Sequence, residues 1–137
     1  MAETVGITTA RQDLVSPIEI GTPDPMVRWR LAAGVVQRSI DAGRSWQAQS
    51  TGSTDVLLAG SAPARDVCWM VGRSGTILLT TDGQTWRRIP GPVDTDLTAV
   101  TATDASTASV TTAAGRTYRT RDSGRTWILQ EDPAAPF

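Results

Sequence analysis

The chain has 137 residues and a net charge of −1, from 14 acidic and 13 basic residues, and 39% of it is hydrophobic. This composition is typical of one globular domain with a core, without bulk attraction to nucleic acid or anionic membrane. It contains no histidine and one cysteine, which excludes His-based nucleophiles, an intramolecular disulfide and an ordinary zinc site. Its apolar runs are all far shorter than the ~20 residues of a membrane span. We therefore expect no metal, no cofactor, no nucleic-acid partner and no direct membrane insertion.

Three similar units follow one another along the chain. Residues 1–16 contain no signal-peptide core and are predicted to form a tail, as are residues 131–137. The domain between them, 17–130, divides into units at about 17–51, 55–91 and 96–130. Val, Ile, Thr and Trp are enriched between turn residues, which favours strands. Four short strands are predicted in each unit, at 18–21, 27–32, 35–39 and 45–49, then 56–60, 67–72, 76–81 and 85–89, then 97–102, 108–113, 116–120 and 126–130.

Three columns of residues keep register between the units. The first is Asp41, Asp82 and Asp122, at spacings of 41 and 40 residues, and the others are Trp46, Trp86, Trp127 and Gly34, Gly75, Gly115. A period of ~40 residues with four strands per unit is typical of a β-propeller blade. The sequence therefore predicts an all-β fold of three four-stranded blades, half of a six-bladed propeller.

The repeated motif reads S/T-x-D-x-G-x-S/T-W and lies between the third and fourth strands of each unit. An Asp carboxylate can accept backbone N–H groups in a tight turn, and glycine supplies a backbone angle that other residues resist. We interpret the motif as a structural hairpin cap, formed by Asp41, Gly43 and Trp46, by Asp82, Gly83 and Trp86, and by Asp122, Gly124 and Trp127. The second copy is one residue shorter between its Asp and its Trp, so its turn should differ from the other two.

This motif resembles the Asp-box (BNR-type) repeat of sialidase-like propellers. The longer text "VCWMVGRSGTILLTTDGQTWRRI" resembles, more specifically, the photosystem II assembly/stability factor family and its bacterial relatives, and the resemblance covers about residues 17–130. It implies a non-enzymatic protein-interaction or sensing module. It also implies that the chain can be the extracytoplasmic C-terminal part of a longer membrane-anchored bacterial protein.

The alternative is a carbohydrate-binding or sialidase-like glycosidase fragment. Sialidase chemistry needs a Tyr nucleophile, an Arg cluster and an acid/base carboxylate. The single tyrosine, Tyr118, lies on a predicted third strand, and no arginine sits in a sialidase signature. No catalytic constellation is recognisable, so we expect no enzymatic activity.

Four charged residues are candidates for a binding site. Arg73 lies between the second and third strands of its unit, where a propeller faces its central mouth, and Arg116 follows the matching Gly115. Both can bind an anion or a partner's carboxylate, or they are solubilising surface residues. Asp94 and Asp96 form either a carboxylate pair at the top of the ring or part of an ordinary solvated loop.

A homodimer is predicted from the number of blades. Three blades leave two blade faces uncovered, and those faces are expected to carry the same Val, Ile, Leu and Trp residues that pack inside the chain. Apolar patches of several hundred Å² are rarely exposed on monomers. Two half-rings related by a two-fold axis would cover both faces and close a six-bladed ring.

Overall fold

The computed structural model describes residues 18–32, 35–53 and 55–130. These ranges form twelve strands and one short 3₁₀ turn, Arg73–Gly75, between β6 and β7. The strands are β1 Ile18–Gly21, β2 Arg28–Ala32, β3 Val35–Ser39, β4 Gln47–Ala48, β5 Leu57–Ala64, β6 Val67–Gly72, β7 Ile77–Thr80, β8 Trp86–Arg88, β9 Leu97–Ala102, β10 Ala108–Thr112, β11 Thr117–Thr120 and β12 Ile128–Gln130. The predicted tails, 1–16 and 131–137, lie outside the described residues.

The strands form three four-stranded antiparallel sheets, β1–β4, β5–β8 and β9–β12, each in sequence order. The predicted all-β fold of three blades is confirmed, and we call the sheets blades 1, 2 and 3. The main difference is β5, which continues to Ala64 rather than ending at residue 60. The turn after β5 contains only Arg65 and Asp66, so that Ala64 pairs with Val67 after a register shift.

Blade 2 lies between the other two blades and buries both of its faces. One face places Cys68, Met70 and Leu78 in a cluster with the side chains of blade 1, and the other face packs on blade 3. Trp69, at the centre of the second face, is fully buried. Cys68 is a free, buried thiol whose pKa is raised by desolvation, as expected of an inert core residue.

The tryptophans that follow the motif connect each blade to the blade before it. Trp86 meets Trp29 of blade 1 edge to face at 5.5 Å, and Trp127 meets Trp69 of blade 2 at 6.5 Å. Each indole N–H also donates to the preceding blade, Trp86 to the Gln49 Oε1 at 3.1 Å and Trp127 to the carbonyl of Pro90 at 3.0 Å. The motif therefore joins neighbouring blades as well as capping its own hairpin.

Asp41 accepts the hydrogen bonds that close the first motif. Its Oδ1 accepts from the Ser39 hydroxyl at 2.8 Å and the Ser45 amide at 2.9 Å, and its Oδ2 accepts from the Ser45 hydroxyl at 2.6 Å. The Gly43 amide donates to the Ser39 hydroxyl oxygen at 2.8 Å. The third motif repeats these four bonds around Asp122 with the same distances. The Asp41 and Asp122 carboxylates thus accept hydrogen bonds from donors of their own turns.

The second motif has a different turn, as its missing residue predicts. The first motif places two consecutive residues at positive φ, Ala42 at 64° and Gly43 at 89°, whereas the second has only Gly83, at 76°. Asp82 Oδ1 accepts from the amides of Gln84 and Thr85 at 2.9 and 2.7 Å. The shorter turn brings both amides to one oxygen of the same carboxylate.

The free face of blade 1 is mainly polar, with Trp46 and the 41% exposed Val35 as its apolar members, which corrects the expectation of apolar end faces. The strand register aligns its outward positions with residues that blades 2 and 3 bury against their preceding blades. At these positions blade 1 has Arg28, Arg30 and Gln37. Blade 2 has Cys68, Met70 and Leu78 there, and blade 3 has Ala108, Val110 and Tyr118. Trp46 lies on the same face, and neither of the other two described blades covers it.

The free face of blade 3 is polar in the same way. Ser109 replaces the tryptophan of the other second strands, and Thr111 and Thr117 replace their aliphatic neighbours. Arg119 lies beside them, and Ile128, 70% exposed, lies at the outer edge. The expectation was wrong because it extended the inner columns of the repeat to faces that have no neighbouring blade. Terminal units of repeat arrays commonly carry polar outer faces.

Replacing Trp69 with alanine should cost about 3–5 kcal/mol of unfolding free energy, the usual range for truncating a buried tryptophan. Trp46→Ala is the matched control, since this ring is only partly buried and should cost clearly less. Urea unfolding followed by circular dichroism measures both. Equal losses for the two variants would contradict the central position of blade 2.

Acid should weaken the fold through the three motif carboxylates. Hydrogen bonds, led by those from Ser45, Thr85 and Thr126, lower the pKa values of Asp41, Asp82 and Asp122 from 3.8 to about 2. A lowered pKa in the folded state stabilises the protein above the unfolded pKa of ~3.9, and that stability is lost as the pH falls toward the folded value.

The melting temperature should therefore be steady above about pH 5 and fall between about pH 4 and pH 2. Asp122→Asn should lower the melting temperature at neutral pH and make its fall in acid shallower, whereas Asp94→Asn, on an exposed loop, should do neither. A fall in acid that is equally steep in the wild type and Asp122→Asn would contradict the role of this carboxylate.

Candidate functional site

Two turns and one connection lie together at one end of blades 2 and 3. The turns join β6 to β7, at Arg73–Gly75, and β10 to β11, at 113–116, and the connection joins β8 to β9. We call the exposed Arg73, Ser74, Asp94 and Arg116, together with the half-buried Asp96, the loop-end surface. All four charged residues proposed from the sequence therefore lie at the same end of the blades.

Asp96 holds the two turns in place. Its Oδ1 accepts the amide of Ser74 at 3.0 Å, and its carbonyl oxygen accepts the amide of Ala113 at 3.0 Å. One residue thus fixes the turn that carries Arg73 and the turn that carries Arg116. The carboxylate of Asp96 bonds the backbone, while Asp94 is exposed. This arrangement fits a structural loop better than a pair of cooperating carboxylates.

The first turn is pressed against the connection between blades. A β-carbon on Gly75 would lie 2.1 Å from the carbonyl oxygen of Val93 and 2.9 Å from the Cα of Asp94. Gly75 has a φ of 73°, and Ser74 also has a positive φ of 58°, which is uncommon for a residue with a side chain. The close approach needs glycine, and it sets the position of Arg73 relative to Asp94.

Arg73 and Arg116 are exposed cations. The ion pairs formed within 18–32, 35–53 and 55–130 involve other arginines. The backbone N–H groups of Arg73 and Arg116 hold the two turns: Arg73 N–H donates to the Val56 carbonyl oxygen at 2.9 Å, and Arg116 N–H donates to the Thr112 side-chain Oγ1 at 3.1 Å. Two rigid turns therefore present guanidinium groups to solvent.

A cleft of about 520 Å³ lies beside these turns, lined by Ser74, Gly75 and residues 88–94. Arg88 lies at its edge and donates to the Oδ2 of Asp55 at 2.7 Å. This bond, with one from the Thr76 hydroxyl at 2.9 Å, lowers the pKa of Asp55. The cation of Arg88 is thus neutralised, in contrast to the two arginines on the turns.

Sequence reasoning missed Asp55 and Arg88. A signal for Asp55 was present, since a Thr-Asp pair precedes the first strand of both the second and the third unit, at 54–55 and 95–96. Both aspartates accept a hydrogen bond from the turn after the second strand of blade 2, Asp55 from Thr76 and Asp96 from Ser74. The column was readable, but Asp55 bonds within its own blade whereas Asp96 bonds the blade before it, and only the packing of blades shows this difference.

Within the part of the chain that the structure describes, no group of three or more Cys, Asp or Glu side chains is placed to hold a metal ion. No helix in these ranges has the length and apolar character needed to cross a membrane.

Comparison with known proteins gives a family and a fold. A profile of the family described as Photosynthesis system II assembly factor YCF48 matches residues 32–135. A structure of YCF48 bound to D1 peptide superposes with a TM-score of 0.70 and 25% identity, over 85% of this chain and 43% of that one. No curated protein matches this sequence.

Two other solved structures share the fold. YCF48 from Cyanidioschyzon merolae superposes with a TM-score of 0.67 and 22% identity, over 83% of this chain and 42% of that one. An ancestral GH74 enzyme gives a TM-score of 0.61 at 11% identity, over 87% of this chain and 18% of that one. This chain thus spans less than half the length of the YCF48 structures. Because the family profile covers more than half of the sequence and includes all three motifs, the chain belongs to the family of the photosystem II assembly factor YCF48.

Proposed function

We propose that this chain is a non-enzymatic protein-interaction module that binds a peptide segment of another protein at the loop-end surface. The observation that carries the proposal is the pair of exposed cations, Arg73 and Arg116, on turns that Asp96 fixes in place. Family membership agrees with it, since the family description is that of an assembly factor.

The chemistry of the loop-end surface suits a carboxylate. An arginine fork can form two parallel hydrogen bonds with a carboxylate group, and such charge-assisted bonds are stronger than neutral ones. The turns are held by the fold before any partner arrives, which reduces the ordering cost of binding. We therefore propose a peptide with an acidic side chain or a free C-terminal carboxylate as the ligand class.

The relatives support a peptide ligand without identifying it. One YCF48 structure is bound to D1 peptide, and this chain matches less than half of that protein. The GH74 likeness, at 11% identity, concerns the fold alone and supports no carbohydrate chemistry here. The extracytoplasmic, membrane-anchored bacterial setting is part of our proposal and has the sequence resemblance as its support.

Replacing Arg73 and Arg116 together with alanine should weaken peptide binding. Peptides selected from a random displayed library against the wild type should carry a carboxylate, and the double variant should bind them at least tenfold more weakly, since a charge-assisted bond is worth about 1.5–3 kcal/mol. Calorimetry measures the affinities. Arg44→Ala, an exposed arginine on the first motif, is the control. Unchanged affinity in the double variant would reject this site.

The polar end faces remove the argument on which the homodimer expected from the sequence rested, and we propose a monomer in its place. Because both free faces carry Arg, Gln, Ser and Thr at the inner-core positions of the repeat, we expect a monomer of 14.6 kDa at micromolar concentration. Light scattering measures the mass. A value of twice that mass would support the closed ring and would require a polar interface between the two copies.

A further inference from the structure

The free face of blade 1 has a chemistry of its own, and we call its residues Glu19, Arg28, Arg30, Gln37 and Trp46 the terminal face. The strand register places all of them on the side of blade 1 that faces away from blade 2. Two arginines and one tryptophan stand where the repeat elsewhere packs apolar side chains. Arg and Trp are the residue types most enriched in the energetic centres of protein interfaces.

The guanidinium of Arg30 is fixed before any ligand binds. Its carbon lies 4.1 Å from the centre of the Trp46 ring, and its Nε donates to the Oε1 of Gln37 at 2.6 Å. The ring and the amide hold one side of the group, so that the terminal N–H groups remain for a partner. Arg28 lies nearby, 43% exposed, with its Nη1 3.7 Å from the Oε1 of Glu19.

Trp46 lacks the contacts that the equivalent tryptophans make. Trp86 and Trp127 each meet a tryptophan of the preceding blade and donate their indole N–H to it. Within the described residues, the indole of Trp46 has no such acceptor. The opposite end of the array is different, because Ser109 replaces the tryptophan there.

The geometry points to the terminal face as a second binding surface, for an extended acidic peptide strand with carboxylates at alternate positions. Arg28 and Arg30 are two residues apart on β2, so that their Cα atoms are separated by about 6.6 Å. Alternate side chains of an extended peptide have the same spacing, and each carboxylate can meet one guanidinium. The free indole N–H of Trp46 can donate to a peptide carbonyl beside them.

A second copy of the chain fits the terminal face poorly. The surface that would meet it in a closed ring is the free face of blade 3, which carries Ser109, Thr111, Thr117 and Arg119. These residues present hydroxyls and a cation, and the nearby carboxylate of Asp122 already accepts the amide and hydroxyl of Thr126. Charge complementarity therefore favours an acidic partner of different sequence.

The test is a titration of the full chain, labelled with ¹⁵N, with a five-residue peptide that has Glu at its second and fourth positions and Thr elsewhere. The indole N–H resonances report on each tryptophan, and Trp46→Phe assigns the one of interest. We expect the Trp46 resonance to move on titration while those of Trp69 and Trp127 stay. A peptide of identical composition, with its two Glu adjacent, should bind at least threefold more weakly.

Variants separate this surface from the loop-end surface. With the Trp46 resonance as the readout, Arg28→Ala with Arg30→Ala should weaken binding at the terminal face at least tenfold, and Arg30→Lys should weaken it by a smaller factor. Arg119→Ala, or Arg73→Ala with Arg116→Ala, should leave the affinity read at Trp46 unchanged. Absence of binding by the wild type, equal binding of the two peptides, or loss of binding on changing Arg73 and Arg116 would overturn the proposal. Movement of the Trp46 resonance on diluting the protein alone would assign the face to a second copy and also overturn it.

Discussion

The contact on which this structure depends is the tryptophan pair between neighbouring blades. Trp86 on Trp29 and Trp127 on Trp69 bury large rings edge to face, a geometry that aromatic pairs favour beyond the area they bury. Each pair joins a hairpin turn of one blade to the second strand of the blade before it. The hairpin is set by the Asp-box hydrogen bonds, so that a local turn fixes the angle at which two blades meet. Small sheets that would be marginal alone thereby share continuous cores.

The hairpin turns also determine which carboxylates are occupied by hydrogen bonds of the fold. Asp41, Asp82 and Asp122 serve as acceptors within their own hairpins, and Asp96 accepts from the backbone of a neighbouring turn. Their negative charge counts in the net charge of −1, but their oxygens are already occupied by donors of the fold. Within the described residues, the guanidinium groups of Arg73 and Arg116 form no ion pair, and those of Arg28 and Arg30 each have one polar side-chain partner. A nearly neutral chain can thus present exposed arginine side chains to a partner, which a whole-chain charge does not reveal.

Much of the fold can be predicted from the sequence because each copy of the repeated motif determines its own hairpin turn. The turn chemistry of Asp41 and the shortened turn at Gly83 follow from a few adjacent residues, and the structure has both. The end faces were predicted wrongly because alternate residues of a strand lie on opposite faces of its blade, and the inner columns of the repeat were extended to the outer faces. Once the register shows which side of β2 faces blade 2, Arg28 and Arg30 mark the opposite side as polar. The candidate site was found as separate charges, whereas its organisation by Asp96 needs two blades in contact and has no local signature.

The two ends of the array differ because the repeat itself has a direction. Each blade contributes its motif tryptophan to the side that faces the preceding blade, and its second-strand tryptophan to the side that faces the next one. The second-strand residue has no part in a turn, so that blade 3 can have Ser109 there without disturbing its hairpin. The motif tryptophan directly follows the turn that Asp41 closes, and blade 1 keeps Trp46 although no blade covers it. The guanidinium of Arg30 then lies over the Trp46 ring in a cation–π contact. A constraint that arises from folding each hairpin thus leaves an arginine–tryptophan surface at one end of the array and a hydroxyl-lined surface at the other, and this asymmetry allows the two ends to meet different partners.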